Sequence, residues 1–112
     1  MDLLWEKTMN AVIWNRLSFF EQLSNIDGEV TRLVEDHERF QKGEISDDNA
    51  LDYIKCIIKL VDMTFADPKN YDKRIIEKEL TDEIGEILRY LNGDYSSTYI
   101  TKYWHQFTDA IS

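Results

Sequence analysis

An all-α protein is the fold the sequence predicts, and three observations predict it. Apolar residues recur at three- and four-residue intervals along nearly all of the 112 residues. Only four Gly and one Pro are present, too few for the many turns of an all-β fold. Each periodic stretch is bounded by residues that start or stop helices. The expected architecture is a compact single-domain bundle, residues 1–112, of about five amphipathic helices. A hydrophobic content of 43%, with three Trp, six Tyr and five Phe, excludes a disordered chain. The single Cys56 excludes a disulfide scaffold.

The first segment gathers Trp5, Met9, Val12, Ile13, Phe19, Phe20 and Leu23 on one broad helical face. Arg16 projects into the middle of that face, where a guanidinium needs carboxylate or carbonyl partners, so a structural ion pair is expected. Trp14 points the other way, beside Leu3 and Leu17. A turn at residues 25–28 separates the second helix, with Asp27 as its N-cap. That helix carries Val30, Leu33, Val34, His37 and Phe40 and stops near Gly43. Ser46 is expected to open the third, with Asp47 and Asp48 in its first turn, where the helix dipole favours negative charge.

Its inner stripe is Ala50, Ile54, Ile57, Ile58, Val61 and Phe65, and Pro68 ends it by disfavouring helix at Asp67. Cys56 lies nearly opposite, which implies that this central helix is buried on two sides. The fourth helix repeats Ile76, Leu80, Ile84, Ile87, Leu88 and Leu91 and closes at Asn92-Gly93. Ser96 or Ser97 can cap a last one bearing Ile100, Tyr103, Trp104, Phe107 and Ile111.

Twenty-two acidic against thirteen basic residues give a net charge of −9. No basic block exists to grip a phosphate backbone, so nucleic acid is not the expected partner. No apolar run approaches the roughly 20 residues of a membrane span. The opening MDLLWEKTMN lacks a basic region followed by an apolar one, and with a lone thiol this fits a reducing cytoplasm.

Catalytic patterns are sparse. Glu35 with Glu38, and Glu83 with Glu86, have the short spacing used by helical nucleotide pyrophosphohydrolases for divalent metal. Both pairs are expected to face away from the core as solvated surface. Neither His37 nor His105 has Glu three positions before it, as di-iron bundles require. Asp47-Asp48-Asn49 lacks the glycine and distal glutamate of a calcium loop. No metal or cofactor is expected.

Arg32 and His37 form an R-x4-H pattern that resembles the Arg/His motif of HEPN-type helical ribonucleases. The resemblance implies a dimer that assembles the two side chains around a phosphodiester. It covers these two positions alone. Leu33 stands where the family has a polar residue, and the motif lies early rather than late in the chain. The bland alternative makes His37 a hydrogen-bonded core histidine.

Residues 44 to 68 hold six acids (Glu44, Asp47, Asp48, Asp52, Asp62, Asp67) and two lysines. Glu44, Asp47, Asp48 and Asp52 are the candidate partner-binding residues, with Trp14 as an aromatic anchor. The expected function is non-enzymatic: an inhibitor of immunity-protein or antitoxin type that covers a basic toxin or nuclease domain. The alternatives are a HEPN-like ribonuclease or nucleotide hydrolase, a phage-type anti-defence inhibitor, and a homodimeric structural bundle.

Overall fold

Ser18 and Glu21 begin the longest helix by capping each other. The Ser18 hydroxyl accepts from the Glu21 N–H at 3.1 Å, and the Glu21 carboxylate accepts from the Ser18 N–H at 3.0 Å. These contacts, that to the Ser18 N–H foremost, hold the Glu21 carboxyl below its usual pKa. The computed structural model describes residues 10–94 together with Ser96, Tyr99, Ile100, Lys102 and Trp104. Those residues form α1 (Ala11–Trp14), α2 (Phe19–Gln41), α3 (Ala50–Ala66), the 3-10 helix η1 (Pro68–Lys73) and α4 (Arg74–Leu91). No strand occurs among them, so the all-α class holds; they contain four α-helices rather than about five.

The expected turn at residues 25–28 does not exist. α2 runs through it without interruption for 23 residues. Gly28 in a helix interior costs about 1 kcal/mol relative to Ala. Against that stands a continuous buried stripe of Leu23, Ile26, Val30, Leu33, Val34 and His37, and the Ser18–Glu21 cap. Asn25 turns its amide back to the Glu21 carbonyl at 2.8 Å and stays helical.

The chain breaks instead at Asn15–Ser18, and this shift of phase undoes the expected first face. Val12 is 67% exposed, Phe20 55% and Ile13 41%, and Arg16 is exposed rather than held in a core ion pair. Trp5 and Met9 lie outside the described residues. α2 ends where expected. Gly43, at φ +76°, donates to the Phe40 carbonyl while Glu44 donates to Arg39, a Schellman closure. Gly93, at φ +93°, repeats the device at the end of α4.

α3 starts at Ala50, four residues after Ser46, because Asp48 accepts the Ala50 N–H at 3.1 Å. Asp47 and Asp48 therefore precede the helix, and Asp52 is the acid of its first turn. Its buried arc reaches from Cys56 through Ile57 and Leu60 to Phe65, so it is covered on two sides as expected. Ile58 is the exception at 41% exposed. Asp67, extended before Pro68, ends the helix and caps η1 by accepting the Lys69 N–H.

The Phe19 ring meets Phe65 edge-on at 6.2 Å, while His37 and Asp36 meet Asp48 and Asn49 at the other end. α2 and α3 are therefore antiparallel. α4 returns so that Tyr90 reaches His37, with ring centroids 5.5 Å apart. Leu80 and Ile87 of α4 are fully buried, and Leu88 is 49% exposed. Ser96 accepts from the Tyr99 N–H at 3.1 Å, and Ile100 and Trp104 are buried. Tyr103, Phe107 and Ile111 lie outside the described residues.

Candidate functional site

The Schellman closure of α2 and the late start of α3 leave residues 42–49 as an exposed connection at one end of the helices. Between Glu35 and Asp52 the chain carries seven acids against Arg39 and Lys42. Glu44 pairs with Arg39 at 3.7 Å, with both side chains more than half exposed. Asp36 accepts from the Asn49 side chain at 3.0 Å, which ties the connection to α2. Asp47 and Asp52 are exposed, and no ion pair joins either to another described residue.

Asp48 is the pivot of this end. One carboxylate oxygen accepts from the Ala50 N–H, and the other lies 3.2 Å from Nδ1 of His37. His37 is 7% exposed, so its ring is a core group tied to a surface carboxylate. Tyr90 packs edge-on against that ring. Burial, followed by the nearby Glu38 and Asp48 carboxylates, pushes the Tyr90 hydroxyl up to about 12. Two clefts flank Asp48. One, of about 320 Å³, is lined by Asp36, Arg39, Ile45, Ser46, Asp47 and Asn49. The other, of about 330 Å³, is lined by His37, Asp48, Ala50, Leu51 and Leu91.

Glu44, Asp47, Asp48 and Asp52 are thus brought together. Asp62 is exposed but lies ten residues further along α3, roughly 15 Å away. Asp67 is buried. The acidity therefore collects at the α2–α3 end rather than running along α3.

Trp14 does not belong to this site. It is 0% exposed, and its indole N–H donates to the Thr64 hydroxyl at 3.0 Å, near the opposite end of α3. The ring is buried because Gln22 and the α3–η1 corner cover the second face of the N-terminal segment. The Gln22 amide nitrogen donates to both the Trp14 carbonyl and Asp67. Asn70 donates to Gln22 and to the Thr64 carbonyl at 2.8 and 2.7 Å. Lys69 pairs with Asp67 and donates to the Asn15 carbonyl. An exposed aromatic anchor at Trp14 is therefore excluded.

Nor are Arg32 and His37 juxtaposed. Five residues on a helix are about 140° apart. Arg32 is 59% exposed on its side chain and pairs with Glu29, whereas His37 points into the core. Glu83 is also buried, at 7%, between Leu80 and Ile87 on the inner face of α4, so the Glu83/Glu86 pair does not form a solvated surface. Among the described residues no group of three or more His, Cys, Asp or Glu is placed to hold a metal ion, and no helix is long and apolar enough to cross a membrane.

The apolar part of the acidic end escapes the sequence pattern. Leu51 is 68% exposed beside Asp48 and Asp52, and its position one residue off the Ala50–Ile54–Ile57 stripe is the signal that marks it. No family model, curated protein or solved structure matches the chain.

Proposed function

We propose that the protein is a non-enzymatic binding protein whose acidic α2–α3 end covers a basic surface of another protein. The setting for that role is read as a compact single-domain helical bundle in the cytoplasm. The observation that carries it is the state of Asp47 and Asp52. Both are exposed with no ion pair to another described residue, and Asp52 adjoins the exposed Leu51. Carboxylates of this kind raise the rate of encounter with a cationic partner, and an apolar contact beside them slows its release. An inhibitor of immunity-protein or antitoxin type, occluding the cleft of a basic toxin or nuclease domain, is the form of this function we favour.

The test is capture of partners from a lysate of the protein's own cells, followed by release in a salt gradient. A basic partner, released by modest salt and lost when Asp47 and Asp52 are both replaced by Lys, supports the reading. RNA or nucleotide turnover abolished by Arg32→Ala or His37→Ala, with the helices intact, would overturn it in favour of a hydrolase.

A further inference from the structure

We infer that the cleft lined by His37, Asp48, Ala50, Leu51 and Leu91 receives a Lys or Arg side chain of the partner, taking its aliphatic stem against the leucines and its charged head on Asp48. The inference rests on the acidic-end reading and names the group that this end recognises. The cleft measures about 330 Å³ and lies between the start of α3 and the end of α4. Its walls are apolar: Ala50, Leu51 and Leu91, with the 49%-exposed Leu88 one turn earlier along α4.

One carboxylate serves this apolar hollow. Asp48 retains 34% side-chain exposure while already bound to His37 and to the Ala50 N–H. Its two oxygens offer about four acceptor positions, so further donors can be accommodated. His37 and the Ala50 N–H fix the carboxylate, which removes the entropy of ordering it when a ligand arrives. Asp47 and Asp52, exposed neighbours in sequence of Asp48 and Leu51, add negative charge to this end of the molecule.

A purely apolar side chain would place a hydrocarbon against Asp48 and strip its water without replacement. An anionic one would meet like charge. A long side chain with methylenes below and a cationic head satisfies both parts, since Lys and Arg bury their stems while keeping the charge solvated or paired.

The experiment uses the full chain, labelled with nitrogen-15, and a glycine-flanked Leu-Arg-Leu peptide as probe. Its twin carries norleucine in place of Arg. Saturable amide shifts at Asp48, Ala50, Leu51 and Leu91, lost with the norleucine peptide, are expected. Asp48→Asn keeps an acceptor for the Ala50 N–H, and Leu51→Ser alters an exposed side chain, so both variants retain the fold. Asp48→Asn weakens the arginine peptide by roughly tenfold or more, the effect of one charge-assisted contact. Shifts confined to Glu44, Asp47 and Asp52 and indifferent to both variants would overturn the cleft while leaving the acidic-end reading in place. No shift at millimolar peptide also overturns the cleft, and the salt-gradient capture then decides the broader reading separately.

Discussion

The two ends of α3 use polar residues in opposite ways. At the C-terminal end Trp14, Gln22, Thr64, Asp67 and Asn70 are all buried, and they satisfy one another and the backbone around them. At the N-terminal end Asp36, Asp48 and Asn49 also stitch helices together, but Glu44, Asp47 and Asp52 stand exposed. Deletion of a buried, satisfied group strands its partners away from water, whereas deletion of an exposed carboxylate strands nothing. The first end spends its polar groups on stability, and the second leaves three carboxylates exposed to solvent.

Substitutions that break this contrast should rank accordingly. Trp14→Ala removes a fully buried ring and is expected to cost about 3–5 kcal/mol in denaturant unfolding. Trp14→Phe keeps most of the packing and isolates the loss of the bond to Thr64. Asn70→Ala leaves the Thr64 carbonyl and Gln22 oxygen without their donor, at about 1–3 kcal/mol in the same assay.

Acid should reach the buried corner through Asp67. Burial acts to raise its carboxyl, but hydrogen bonds from the Lys69 and Gln22 side chains and the Lys69 N–H outweigh that and hold its pKa below the usual range. A carboxyl lowered on folding stabilises the fold above its unfolded value of about 4 and loses that contribution as pH falls through the folded value. Unfolding midpoints of the wild type should therefore fall below about pH 4, and Asp67→Asn should remove part of that slope.

The acidic end answers at the alkaline extreme. Tyr90 should ionise near 12, which ultraviolet titration can follow apart from the exposed tyrosines. Because its folded value is raised, its contribution is full below about pH 10 and is lost as pH climbs towards 12. The smallest expected effect on stability is that of Asp47→Asn with Asp52→Asn, within about 0.5 kcal/mol. A larger loss would show that these carboxylates hold the fold together, and the contrast between the two ends would fail.

Much of the helical order is legible in the sequence, and the misplacements have identifiable causes. Gly43, Gly93 and Pro68 act where local chemistry says they should, because positive φ and a missing N–H are properties of single residues. The Asn25–Gly28 turn is wrong because turn composition there is overridden by the Ser18-Phe-Phe-Glu21 cap, itself readable as a capping box. That one shift of phase also misplaces Val12, Phe20 and Arg16. The candidate acids Glu44, Asp47, Asp48 and Asp52 are readable as a cluster, since charge needs no tertiary partner to be seen. Trp14 and Asp67 could not be placed from periodicity alone: each is buried by contacts far along the chain, as in the 50-residue separation of Trp14 and Thr64.

The central claim, that the acidic α2–α3 end binds a basic protein, is tested most directly by quantitative capture from a native lysate on the wild type and on the Asp47→Lys, Asp52→Lys double variant. The expected result is a basic protein retained by the wild type, released by modest salt and absent from the variant. Equal retention of that protein by both forms would contradict it.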